Sequence, residues 1–198
     1  ALTLFGPAGS VTYSTLEILE IGLGDASNGN VFTVERTHGG GAVTALASGD
    51  GPDVFNIETA AGDLALATGG GSDTVRVGST AGDVGHLTGA LDVLDAHVNS
   101  VAGRLTLAAG AGNADTLKVY DAGDVARENG RLSAGEIVGF GMTRGIGYAG
   151  FEVLKLWLSN NDNNLYVEST HPGVTVVDLG DEQPVLNGVN DVVNIHRI

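Results

Sequence analysis

The sequence contains no cysteine. Disulfides and thiolate metal sites are therefore excluded. Bases are scarce: 9 Lys and Arg stand against 24 Asp and Glu, a net charge of −15. Phosphate binding needs clustered Lys and Arg, so nucleic acid is not expected as a partner. An anionic membrane is disfavoured for the same reason, and cations are the natural partners of such a chain. Aromatic residues make up only 5%, which suits a thin core. No apolar run reaches the ~18 residues of a membrane-spanning helix, so no membrane insertion is expected. No signal peptide is expected at the start of the sequence. No Ser/His/Asp arrangement stands out. His38 and His171 lie in Thr-His-Gly and Thr-His-Pro turns and read as turn residues, and His86 and His97 read as half-exposed strand residues.

Glycine, by contrast, is abundant at 32 of 198 residues, about twice its ordinary share of ~7%. An apolar content of 42% argues against disorder. The order in the sequence is plainest from Ser48 to Val77, where SGDGPDVFNIETAAGDLALA is followed by TGGGSDTVRV. In each row a Gly-rich turn leads to Asp and then to two apolar residues two apart: Asp53, Phe55, Ile57, then Asp73, Val75, Val77. Alternation of this kind is a strand with one buried face. A second strand follows in each period, marked by Leu64 and Leu66. The first pattern recurs at Asn30, Asp53, Asp73, Asp92 and Asp115, spaced by 23, 20, 19 and 23 residues, and again at Asn163 and Asp191. The second recurs at Val43, Leu64, Val84, Leu105 and Val174.

A period near 20 is the mark of a chain that winds in stacked coils. The expected fold is all-β, a parallel β-solenoid (β-helix or β-roll) with about 20–23 residues per coil. Stacking should place Phe55, Val75 and Leu94 in one column. A longer repeat lies above the coil: Leu4–Leu23 matches Gly139–Leu158 at an offset of 135, and Val34–His38 matches Val167–His171 at 133. Residues 1–198 thus read as a single elongated domain, a piece of a longer array in which neighbouring repeats of the same chain are the partners.

Residues 120–135 break the period and read as an inserted acidic loop. There Asp121, Asp124 and Glu128 form a candidate cation site, since hard cations take several oxygen ligands. Trp157 stands where the first copy has Gly22, a candidate platform for a carbohydrate ligand. Asp181 and Glu182 mark a further insertion.

The two central turns resemble the hemolysin-type (RTX) calcium-binding repeat, G-G-x-G-x-D-x-U-x. Ser48–Asn56 matches it except for Ser in the first place, and Thr68–Arg76 except for Thr; Ala109–Leu117 is similar with one residue inserted. The resemblance implies Ca²⁺ between stacked turns, flanked by Gly49, Asp50, Gly51 and Asp53 of one coil and Gly69, Gly71 and Asp73 of the next. RTX turns recur on both sides of each coil, whereas the opposite turns here, such as Ala60–Asp63 and Thr80–Asp83, are shorter. The chain also resembles degenerate repeat arrays of giant bacterial surface proteins and adhesins. That likeness implies a non-enzymatic structural or adhesive segment, extracellular or at the cell surface. Two other functions fit less of the sequence: a calcium-dependent folding module, and a β-helix polysaccharide lyase or epimerase. The latter needs Arg or Lys among acids on one sheet face; the two lysines are Lys118 and Lys155, and Arg36, Arg76 and Arg104 could align on one face.

Overall fold

A computed structural model describes residues 15–80, 96–159, 161–180 and 191–196. All regular structure among them is β. One sheet holds nine strands, in the order β1 (Ile18–Gly22), β3 (Val43–Ala47), β5 (Asp63–Ala67), β9 (Leu105–Ala108), β13 (Ile146–Ala149), β12 (Glu136–Gly139), β11 (Asn129–Ser133), β15 (Asn164–Val167) and β17 (Val192–Ile195). The other holds six, in the order β16 (Val174–Asp178), β14 (Val153–Trp157), β10 (Thr116–Tyr120), β6 (Thr74–Val77), β4 (Val54–Ile57) and β2 (Val31–Val34). We call them the wide and the narrow sheet. Every pairing in the narrow sheet is parallel, and in the wide sheet only β12 runs antiparallel to its neighbours. No helix among the described residues is long and apolar enough to cross a membrane.

The chain crosses from one sheet to the other at nearly every step, as the two alternating patterns require. Inward residues stack in register. Phe32, Phe55, Val75, Leu117 and Leu154 form one column of the narrow sheet, and Leu46, Leu66, Leu107 and Tyr148 one of the wide sheet. The two sets merge into one buried apolar cluster. Each large side chain so buried contributes about 1.5–3 kcal/mol.

Three features depart from the expected regular winding. The place expected for Leu94 is taken by Leu117, because β6 pairs directly with β10 and β5 with β9. The repeat at Asp115 sends Leu117 and Val119 into the core. After Val77 the chain instead leaves through β7 (Ser79–Thr80) and returns through β8 (Ala96–His97), which pair antiparallel. Asp92, Leu94, Val84, His86, residues 81–83, Asp181, Glu182 and residues 4–13 of the long repeat lie outside the described residues.

The segment 120–135 is divided. Tyr120 closes β10, residues 121–128 form a loop, and Asn129–Ser133 is β11, built into the wide sheet between β12 and β15. Finally, the long repeat changes sheet. Strands β1 to β4 recur as β14 to β17, down to Val54-Phe-Asn-Ile57 against Val192-Val-Asn-Ile195. Yet β1 and β3 lie in the wide sheet and β14 and β16 in the narrow one. From β1 to β14 the chain makes an odd number of crossings, so the second copy starts on the opposite sheet.

Candidate functional site

The Asp that opens each of β4, β6 and β10 is buried, and its neighbours in space are the equivalent residues of adjacent strands. Asp53, Asp73 and Asp115 are all 0% exposed. Each uses one carboxylate oxygen to hold the coil beside it. The N–H of Asn30 donates to Asp53 Oδ1 (2.5 Å), that of Asp53 to Asp73 Oδ1 (2.8 Å), and that of Asp73 to Asp115 Oδ1 (2.7 Å). The N–H of Asp115 donates to Glu152 Oε2 at 2.7 Å. Backbone bonds run the other way, with Thr74 N–H donating to Asp53 O and Thr116 N–H to Asp73 O. Each strand entrance is thus stitched twice, and the carboxylate accepts an N–H that the sheet ladder does not reach.

The second oxygens, Oδ2 of Asp53, Asp73 and Asp115, are buried without a hydrogen-bond partner. Burial, followed by the charges of Asp73 and Glu152, pushes the Asp115 carboxyl above its ordinary range; the bond from Asp73 N–H pulls the other way. Beside this column lie the glycine corners. Gly70 N–H donates to Gly49 O, and Gly51 N–H to Gly70 O. Gly51 and Gly71 adopt φ of +124° and +138°, a region open to glycine.

Gly49, Asp50, Gly51 and Asp53 therefore do meet Gly69, Gly71 and Asp73 at one corner. Asp50 itself is exposed, and its N–H donates to Asp25 Oδ1. Ca²⁺ takes about 6–8 oxygens. Asp53 Oδ2 and Asp73 Oδ2 are the atoms it would bind first, with backbone carbonyls and water to supply the rest. Among the described residues no three acidic or His side chains converge on one point.

Asp121, Asp124 and Glu128 lie elsewhere, past the far end of β10. Val98 N–H donates to Asp121 Oδ1 (3.3 Å), Asn99 Nδ2 to Asp124 Oδ2 (2.9 Å) and Ala126 N–H to Asp124 Oδ1 (2.8 Å). The loop is thereby tied to the chain returning from β8. Burial, reinforced by the charges of Asp124 and Glu128, pushes the Asp121 carboxyl up to about 8. A carboxyl that binds its proton more tightly when folded favours the fold below its unfolded value of about 4. That contribution is lost as pH rises through about 8. Asp121→Asn keeps the acceptor for Val98 and removes the ionisation. Urea midpoints from pH 5 to 9 should show the variant gaining steadily on the parent up to that point. Parallel curves would contradict it.

Glu152, which ends the column, is not among the residues expected from sequence, because the repeat pattern has Asp or Asn at that place. Glu152-Val-Leu-Lys-Leu156 carries the same spacing and was the available signal. His171 is buried against Tyr148, edge to face at 6.0 Å, with Nδ1 3.1 Å from Thr175 Oγ1.

At the level the geometry fixes, this is an all-β chain of two mostly parallel sheets with acidic and glycine-rich strand entrances. No family model, no curated protein and no solved structure matches it.

Proposed function

We propose that the chain is a non-enzymatic structural segment of a β-solenoid rod, part of a large secreted or cell-surface protein whose neighbouring repeats continue the stack. One observation carries this reading: the core is open at its ends. The inward Val193 and Ile195 of β17 are 40% and 59% exposed, whereas their register partners Leu165 and Val167 are buried. A cavity of about 390 Å³, lined by Leu132, Leu165, Val177, Val193 and Ile195, lies beside them. The edges of β1, β2, β16 and β17 are unpaired among the described residues. Strands β3 and β4, the duplicates of β16 and β17, carry β5 and β6 on the corresponding edges. In such an array stability comes from each coil and its interfaces.

The test is hydrogen exchange on a chain lengthened after Ile198 by a copy of residues 61–80, the segment that follows the matching position in the first repeat. Amides of β16 and β17 should slow markedly. Unchanged exchange there would sink the reading.

A lyase or epimerase draws less support. Arg104, Arg131 and Arg144 do lie among acids, as that activity requires. However, Arg104 pairs with Glu136, Arg131 with Glu136 and Glu168, and Arg144 with Asp63, so the charges neutralise one another. A calcium-stabilised corner is a second reading, favoured by the orphaned Oδ2 atoms of Asp53 and Asp73. Under it, chelation lowers the thermal midpoint of the parent but not of Asp73→Asn, which keeps an acceptor for Asp53 N–H. If chelation moves neither protein, the carboxylates act on the backbone alone.

A further inference from the structure

The outer face of the wide sheet carries a ladder of amides across β11, β15 and β17. Asn129 and Asn164 stand in register, and Asn194 pairs with Tyr166, the next outward residue of β15. Asn194 Nδ2 donates to Asn164 Oδ1 (3.4 Å), and Asn164 Nδ2 to Asn129 Oδ1 (3.2 Å). The amides all point one way, so the ladder ends in a donor, Asn129 Nδ2, and an acceptor, Asn194 Oδ1. Both end residues are exposed. A cavity of about 290 Å³ lies over the ladder, lined by Asn129, Arg131, Val138, Asn164, Tyr166 and Asn194. Tyr166 is 36% exposed, and the tilted ring of His196 lies with its centre 6.0 Å away. The charge of Arg131 is met by Glu136 and Glu168. Trp157, the platform expected from sequence, offers less: it stacks on the buried Tyr120 with centroids 4.9 Å apart, which covers one face of the indole.

We propose that this cavity binds a neutral saccharide. A sugar hydroxyl both donates and accepts, so a row of hydroxyls matches a ladder that presents a donor at one end and an acceptor at the other. Tyr166 adds an apolar ring with a polar tip, which suits the apolar side of a pyranose. Ligand pockets begin at about 300 Å³, so this cavity is of a size for one or two sugar rings. The class is neutral because Arg131 is already paired, and Glu136 and Glu168 beside it repel a uronate. The proposal does not rest on the rod reading, since it needs only β11, β12, β15 and β17 as they stand.

Maltose, cellobiose and lactose are the probes, added to the whole chain at millimolar concentration. At least one should shift the side-chain amide signals of Asn129 and Asn194 in NMR spectra. Added salt should leave that shift unchanged, since the sugar carries no charge. Digalacturonate should shift the same signals less. Tyr166→Ala should bind the responding sugar about tenfold more weakly with an unaltered circular dichroism spectrum. Asn129→Ala, at an exposed position, removes the donor end and provides the same comparison if Tyr166→Ala does not fold. No shift with any of the three sugars would leave the ladder to hold the coils together and nothing more, and overturns the proposal. It is equally overturned by a larger response to digalacturonate, or by folded variants that bind as the parent does.

Discussion

Phe55→Ala is expected to destabilise the chain by about 3–5 kcal/mol. Phe55 is wholly buried and stands in register between Phe32 and Val75. Removing the ring forfeits its transfer from water and leaves a hole that a parallel ladder cannot close. The backbone on either side is pinned by bonds such as Val54 N–H to Asn30 O and Thr74 N–H to Asp53 O. Natural domains hold about 5–15 kcal/mol in all, so the loss is a large share. Because β4 pairs only with β2 and β6, exchange should speed first in these three strands and last in β14. Urea midpoints measure the magnitude, and Val31→Ala is the control: Val31 is 75% exposed, and a change within about 0.5 kcal/mol is expected. Similar losses for both would mean that the narrow-sheet column does not carry the core.

Gly71→Ala should be nearly as severe, at about 3 kcal/mol or more, from two causes acting together. The residue sits at φ +138°, where an L side chain is strained by about 1–3 kcal/mol. A Cβ there would also run into the carbonyl oxygen of Gly51 in the adjacent coil, an atom of the backbone that cannot swing aside. The comparison is Gly22→Ala, whose Cβ meets nothing within 4 Å and which should be neutral or slightly stabilising. Thermal midpoints of the two variants decide. If Gly71→Ala melts with the parent, the coils are not in close contact at this corner.

Much of the narrow sheet was legible because one residue did two tasks at a fixed spacing. Asp53, Asp73 and Asp115 announce each strand, and the apolar residues two and four places on face the core. The chemistry of these acids was legible only in part. That they are carboxylates near a turn is written in the sequence, but that Oδ1 serves the next coil while Oδ2 stays unpartnered depends on stacking. Three things were hidden. Period-two alternation says which face of a strand is buried and nothing about which sheet it joins, so the move of the second repeat to the opposite sheet left no trace. The direct pairing of β6 with β10 joins partners 42 positions apart, a spacing that a period near 20 does not announce. Asn129, Asn164 and Asn194 lie far apart in the chain and meet only through the registers of β11, β15 and β17.

The antiparallel pairings of β12 among parallel ladders favour an order of assembly. Parallel partners are far apart in the chain: Val43 and Asp63 are separated by 20 positions, Thr74 and Thr116 by 42. By contrast, β11 and β12 are joined through Ala134 and Gly135 alone, and β13 follows at once. This meander closes the shortest loops, so pairing is expected to start there. During synthesis it emerges only after β1 to β10, whose apolar faces must wait for a template and remain open to the wrong neighbour.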